Sequence, residues 1–197
     1  MIDAEFVVRV GDFRLHAKFS GRGLIWITGE NGSGKTTLLR SIAGLLPIES
    51  GYINLNGRDV SSLPLGERHA VYVEQRSVFS NLQVRSHLDI ARRPDFGEKE
   101  RAHVCSMLGI DFDGRVSALS LGSKIRVAVA TAILSPLQLL LLDEVLASVS
   151  RTYEFLENLM LLSKEYDFDI MVATPNPHTV GQTTFELIDG SMRQRTE

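Results

Sequence analysis

The chain has 197 residues, of which 44% are hydrophobic and 23% charged, and it carries a formal net charge of −3 with a single cysteine. These values fit one globular domain with a sizeable core, and they exclude an internal disulfide and a general electrostatic attraction to nucleic acid. The first five residues lack the blocks of a signal peptide, and no apolar run reaches the roughly 18 residues of a membrane span. We therefore expect a single domain over residues 1–197 and no nucleic-acid partner.

Alternating apolar residues open the chain and predict a β-hairpin. The alternation runs through residues 5–19 and is broken by a Gly-Asp pair, which predicts the turn. Residues 52–55 form a similar run, and the Asn-Gly pair after it favours a tight turn. We expect an antiparallel sheet from residues 1–20 and 50–60, lying beside a parallel core.

The stretch over residues 29–36 reads GENGSGKT, which has the form G-x-x-x-x-G-K-[ST] of a phosphate-binding loop. An apolar run at 24–28 predicts a buried strand before it, and apolar residues at helical spacing over 38–46 predict a helix after it. Glycines let backbone N–H groups point at phosphate oxygens, and a helix N-terminus favours an anion. Lys35 is predicted to contact the β- and γ-phosphates, and the Thr36 hydroxyl to bind Mg²⁺.

A helical insert is predicted in the middle of the chain. After a short strand at residues 71–73, the strand pattern disappears until about residue 118. Residues 84–92 and 98–109 have helical patterns and are separated by the turn-rich sequence RRPDFG. We therefore expect an inserted helical subdomain over about residues 78–118.

The last third of the chain alternates helices with apolar strands. A helix over residues 120–134 leads to a buried strand that begins at Leu137 and ends in Asp143 and Glu144. Further predicted elements are a helix over 152–166, a buried parallel strand over 169–174 and a closing hairpin over 183–193. Open α/β sheets bind ligands at the carboxyl ends of their strands. Asp143 is thus predicted to hold Mg²⁺ with Thr36, and Glu144 to polarise an attacking water.

The order of these motifs resembles that of ATP-binding cassette (ABC) ATPase domains. After the phosphate loop come a glutamine that follows a short strand (Gln75), a helical insert, the sequence LSLGS at 119–123 in place of the LSGGQ signature, and the LLLLDE strand. The resemblance covers roughly residues 5–190. It implies an α/β P-loop NTPase with a mostly parallel core sheet, an N-terminal antiparallel β subdomain and an inserted helical subdomain.

The resemblance also implies which residues form the site. Catalysis would use Glu144, Lys35 and Gln75. ATP would be contacted by Gly29, Glu30, Asn31, Gly32, Ser33, Gly34, Lys35, Thr36, Thr37, Ser120 and Gly122. Mg²⁺ would be held by Thr36, Gln75 and Asp143.

Two protein partners are implied by the family. Its domains work as head-to-tail dimers with ATP between the phosphate loop of one subunit and the signature helix of the other, so a second ABC ATPase subunit, identical or different, is expected. A membrane permease is expected to dock near Gln75–Val84, which would hold the protein at the cytoplasmic face of the membrane. The implied function is that of the ATP-hydrolysing subunit of an importer-like ABC transporter. The alternative is a soluble ABC-type ATPase that acts as a switch without a permease.

Other P-loop classes fit less well. A GTPase should carry an Asn-Lys-x-Asp motif, which is absent. A small-molecule kinase should have an arginine-rich lid, whereas an apolar helix precedes Asp143 here.

The chain departs from the family pattern at the positions that face the partner subunit and the γ-phosphate. Leu121 replaces the first signature glycine, and Ser123 replaces the signature glutamine. The D-loop at 147–150 reads ASVS and lacks its usual aspartate. Pro175 stands where a histidine is expected, and we interpret His178, three residues on, as a surface residue. From these departures we expect slow hydrolysis by the isolated protein.

The aromatic side chain that would stack on adenine is left open. Phe13 lies upstream of the phosphate loop at a plausible distance. It is also a good core residue of the predicted hairpin, and we favour that interpretation.

Overall fold

The computed structural model describes residues 1–175 and 183–195. Its strands are β1 (Ile2–Val10), β2 (Phe13–Gly21), β3 (Leu24–Thr28), β4 (Ser50–Leu55), β5 (Arg58–Asp59), β6 (Ala70–Val73), β7 (Leu139–Asp143), β8 (Asp169–Ala173), β9 (Thr183–Ile188) and β10 (Ser191–Arg195). Its helices are α1 (Lys35–Ala43), α2 (Val84–Leu88), α3 (Glu98–Met107), α4 (Leu121–Leu134) and α5 (Thr152–Tyr166). Within the described ranges, no helix is long and apolar enough to cross a membrane.

These strands form one continuous sheet in the order β5-β4-β1-β2-β10-β9-β3-β8-β7-β6. The part from β9 to β6 is parallel, and the part from β5 to β2 is antiparallel. The predicted α/β class and its antiparallel region are therefore confirmed. The antiparallel strands lie beside the parallel ones in the same sheet, because β10 pairs with β2 at Ser191 and His16 and joins the two parts.

Alternate residues of the buried strands enter two hydrophobic cores. On β3, Trp26 packs into the core that contains α4 and α5, whereas Ile25 and Ile27 face the core that contains α1 and the antiparallel strands. All residues of β3 and β7 are buried, as expected for parallel strands covered on both faces. Leu38 of α1 and Leu15 of β2 share the second core, so the hairpin covers the helix that follows the phosphate loop.

Between β6 and α4, the chain forms α2, α3 and a 3₁₀ turn, and Gln83 makes an isolated antiparallel bridge with Arg115. Both helices are shorter than predicted. After Leu88 the chain tightens, because Ile90 N donates to His87 O, a bond over three residues instead of four.

Candidate nucleotide-binding site

The phosphate loop connects β3 to α1 and depends on glycine at its close contacts. Gly29 has φ of 140° and Gly34 has φ of 108°, a region that side chains disfavour. A Cβ atom at Gly34 would lie 2.8 Å from both Phe13 Cζ and Leu15 Cδ1. The β1–β2 hairpin therefore packs directly against the loop at Gly34. Phe13 is half-buried and lines a cavity with the loop, so the position is compatible with both roles weighed for it.

Lys35, the first residue of α1, is folded back over the loop. Its side chain is 3% exposed, and Nζ donates to Gly29 O at 2.9 Å and to Glu30 O at 3.0 Å. The same ammonium lies 3.3 Å from Oε1 of Glu144. The cation is therefore fixed at the mouth of the loop, beside the first residue after β7.

The two predicted carboxylates differ in environment. Asp143 ends β7 and is buried; its Oδ2 accepts a hydrogen bond of 2.6 Å from the Tyr72 hydroxyl. Its Oδ1 is buried and has no hydrogen-bond partner in the described part of the chain. Glu144 is half-exposed and has φ of 53°, and its N–H donates to Ala173 O. This left-handed turn aims Glu144 at Lys35 and away from the sheet.

Two adjoining cavities bring most of the predicted residues together. The first, of about 380 Å³, is lined by Thr36, Arg40, Glu74, Gln75, Arg76, Asp143 and Glu144. The second, of about 560 Å³, is lined by Val10, Phe13, Asn31, Gly32, Gly34, Lys35, Thr36, Thr37 and Glu144. Thr36 and Glu144 line both. Gly29, Glu30 and Ser33 line neither: the first two bind Lys35 through their carbonyls, and the Ser33 hydroxyl is buried without a hydrogen-bond partner among the described residues.

The first cavity fits a magnesium ion. It offers a hydroxyl, an amide and a carboxylate from Thr36, Gln75 and Asp143. These are oxygen donors of the type that Mg²⁺ prefers. The buried Oδ1 of Asp143 has the free lone pairs that a ligand needs.

Ser120 and Gly122 lie at the start of α4, apart from both cavities. Ser120 is the N-cap, and its Oγ accepts from Ser123 N at 3.1 Å. A Cβ atom at Gly122 would lie 2.4 Å from Ser148 O, so this glycine permits α4 to pack against the D-loop. Leu121 is 39% exposed. Within one chain, then, these two residues do not reach the phosphate loop.

The proline at the expected histidine position, and the nearby histidine that was interpreted as a surface residue, both follow β8. Pro175 is exposed. His178 lies outside the described residues.

Comparison with known proteins identifies the family. The family model described as ABC transporter matches residues 14–147, which is more than half of the chain. The chain belongs to the ABC transporter family. The molybdenum import ATP-binding protein ModC of Bordetella pertussis is 34% identical over 205 residues, which cover 95% of this chain and 55% of that protein. The thiamine import ATP-binding protein ThiQ of Brucella abortus is 32% identical, covering 85% of this ABC domain and 74% of that protein.

Solved structures agree on the ABC fold. A dimeric post-hydrolysis state of an ATP-binding cassette bound to ADP and Pi has a TM-score of 0.78 and 20% identity, with 99% of this chain and 98% of that one covered. The fold prediction and the family resemblance are both confirmed. This ABC domain spans about half the length of the ModC relative.

One group of site residues was missed in the sequence. Arg40 of α1 donates through Nε to the Tyr72 hydroxyl at 3.3 Å and pairs through Nη2 with Glu74 at 3.1 Å. Burial, followed by the hydrogen bond to Asp143, raises the pKa of Tyr72, so its hydroxyl stays protonated. The available signal was the position of Arg40, one helical turn after Thr36 and thus on the same face of α1.

Proposed function

We propose that this domain binds Mg-ATP and hydrolyses it as the nucleotide-binding subunit of an ABC transporter, driving transport through a separate membrane subunit. One observation carries the proposal: Lys35, Asp143 and Glu144 line two adjoining cavities that share Thr36, and Oδ1 of Asp143 is buried without a hydrogen-bond partner among the described residues. The family match and the ModC and ThiQ relatives, both named as import ATP-binding proteins, support it.

Each part of the site has a defined chemical task. Lys35 and the N-terminus of α1 bind the phosphates, because both present positive charge to an anion. Thr36 Oγ1, Gln75 and Asp143 Oδ1 would hold Mg²⁺, which when bound neutralises charge on the phosphate oxygens. Glu144 accepts the proton of the attacking water. These assignments use the same side chains that line the two cavities.

The completed site would be shared with a second ABC ATPase subunit. The start of α4, with Ser120 as its cap, does not line the cavities of its own chain. A helix start with free N–H groups is suited to a γ-phosphate. In the proposed dimer, α4 of one subunit covers ATP bound to the phosphate loop of the other.

The segment Gln75–Val84 would dock the membrane permease and hold the domain at the cytoplasmic face. Phe79 in this segment is 60% exposed, so the segment offers a large apolar side chain to a partner. Its backbone N–H donates to Nε2 of buried His87 at 3.1 Å, so the segment is anchored to α2.

The permease part of the proposal can be tested by affinity capture from native membranes. The wild-type protein should recover a polytopic membrane protein, and Phe79→Ser should lose most of it. Leu161→Ser is the matched control, because Leu161 is 54% exposed on α5, away from this segment. If ATP is hydrolysed but no membrane protein is recovered with either variant or the wild type, the function is that of a switch without a permease.

A further inference from the structure

We propose that Tyr72 is a positioning residue for the metal-binding carboxylate: its hydroxyl occupies Oδ2 of Asp143 and so presents Oδ1 to Mg²⁺. This inference rests on the proposed Mg-ATP site.

The direction of the hydrogen bond follows from the distances. The Tyr72 hydroxyl has one proton and three polar neighbours: Asp143 Oδ2 at 2.6 Å, Arg40 Nε at 3.3 Å and Glu74 Oε2 at 3.5 Å. The Arg40 guanidinium can only donate, so the Tyr72 hydroxyl oxygen must be the acceptor of that hydrogen bond. The proton then goes to Asp143, because a distance of 2.6 Å is typical of a strong O–H···O⁻ bond and 3.5 Å is not.

This bond makes the two oxygens of Asp143 inequivalent. Oδ2 is bound by Tyr72, and Oδ1 is buried without a partner in the described part of the chain. A buried carboxylate oxygen without a partner is costly unless a ligand completes it. Without the Tyr72 hydroxyl the Asp143 carboxylate would be free to rotate, and either of its oxygens would be free to accept a hydrogen bond from another group.

Tyr72 acts through Asp143 and does not touch a ligand itself. It lines neither of the two cavities that Asp143, Thr36 and Lys35 line. It lies on β6, which pairs in parallel with β7, and its side chain is partly buried. Hydrogen-bonded partners of metal ligands of this kind typically change metal affinity about 10- to 100-fold when they are removed.

The test measures how much Mg²⁺ improves nucleotide binding. Affinity for the non-hydrolysable analogue adenosine 5′-(β,γ-imido)triphosphate is determined by calorimetry with Mg²⁺ and again with EDTA. The ratio of the two affinities should be about tenfold smaller in Tyr72→Phe than in the wild type, with the EDTA value unchanged. Tyr153→Phe is the matched control, because Tyr153 is 64% exposed on α5 and should leave the ratio unchanged.

A double-mutant cycle shows whether Tyr72 acts through Asp143. In an Asp143→Asn background, adding Tyr72→Phe should change the ratio by less than twofold. An unchanged or larger ratio in Tyr72→Phe alone would overturn the inference, as would a full tenfold effect in the Asp143→Asn background. A wild-type protein that gains nothing from Mg²⁺ would instead contradict the proposed metal site, which keeps the two failures distinct.

Discussion

The ammonium of Lys35 lies 3.3 Å from Oε1 of Glu144, although the strands that precede these residues, β3 and β7, are separated in the sheet by β8. The contact joins the residue that would bind phosphate to the residue that would activate water. A phosphate group entering the loop offers Lys35 a stronger anionic partner. We therefore expect nucleotide binding to release the Glu144 carboxylate for its role as a base.

Removing the Lys35 ammonium should remove most of the affinity for ATP. Charge-assisted hydrogen bonds contribute about 2–3 kcal/mol, so Lys35→Ala should weaken binding roughly 30- to 150-fold. Calorimetry with Mg-ATP measures the effect. Lys18→Ala is the control, since Lys18 is an exposed lysine paired with Glu5 on the antiparallel strands. Equal affinities for the wild type and Lys35→Ala would contradict the assignment of the loop.

Hydrolysis by the isolated protein should be slow, and Glu144→Gln should abolish it. In the proposed mechanism Glu144 would supply the base, but Pro175 has no donor for charge on the departing γ-phosphoryl group. One such donor typically contributes on the order of 3 kcal/mol, or a hundredfold or more in rate. Pro175→His should therefore raise steady-state phosphate release, whereas the same change at Pro47, an exposed proline after α1, should not. Fast turnover that survives Glu144→Gln would show that the base is another residue.

The ATP-bound subunit should prefer a different ABC subunit over a second copy of itself. Its phosphate loop and the two carboxylates, Asp143 and Glu144, match the family pattern. The surfaces that it would offer to a partner do not, because Leu121 is an exposed side chain at the start of α4 and Ser150 stands where the D-loop aspartate is expected. A homodimer would combine two impaired halves. Light scattering of the Glu144→Gln variant with ATP should show little dimer, and adding Leu121→Gly should increase it. Strong ATP-driven dimers without that second change would contradict the prediction.

Arg68 should be among the most important polar residues for stability. Its buried guanidinium donates to four backbone carbonyls, those of Ser41, Ile42, Ser61 and Leu63, at 2.7–3.2 Å. Two of these belong to the end of α1, where carbonyls lack partners within the helix. Arg68→Met should lower the free energy of unfolding by about 3 kcal/mol, measured with urea. Arg58→Met, at an exposed arginine, is the control; a loss below about 1 kcal/mol at Arg68 would refute this role.

Stability should fall as the pH drops below about 6.5, the ordinary pKa of histidine, partly because of His87. Burial lowers the pKa of His87, and its Nε2 accepts from Phe79 N while Nδ1 faces Thr131 Oγ1 at 2.9 Å. Between the lowered folded pKa and the unfolded value, only the unfolded chain binds the proton, so acid favours unfolding. The stabilisation is therefore present above pH 6.5 and is lost as the pH falls through the folded pKa.

Urea unfolding at several pH values measures this effect. His87→Gln should flatten the decline between pH 7.5 and 5.5, values that span the ordinary histidine pKa of about 6.5. His103→Gln, at an exposed histidine that pairs with Glu165, should leave the decline in stability with falling pH unchanged. Identical pH profiles for the wild type and His87→Gln would show that other groups account for the decline.

Local signals were sufficient to predict the loop between β3 and α1 and the order of the helices and strands, but not the ends of several of them. The loop is specified by eight consecutive residues, and Ser120 caps α4 as its type suggests. Long-range relationships were not predictable in this way. The hydrogen bond between Tyr72 and Asp143 joins residues 71 positions apart, and it depends on the register of β6 against β7. The join between β10 and β2 rests on one residue pair that no sequence pattern marks.

The position of β3 in the sheet has a consequence for synthesis on the ribosome. Its two neighbours are β8 and β9, and the contact of Gly23 N with Asp169 Oδ1 spans 146 positions. At about 5–20 residues per second, the neighbours of β3 emerge on the order of ten seconds after it. During that interval the nascent chain carries a largely apolar strand whose two neighbours in the sheet have not been made. The parallel part of the sheet can therefore close around β3 only after β8 and β9 have been made, and a pause before β8 would prolong the exposure of the strand to chaperones and to aggregation.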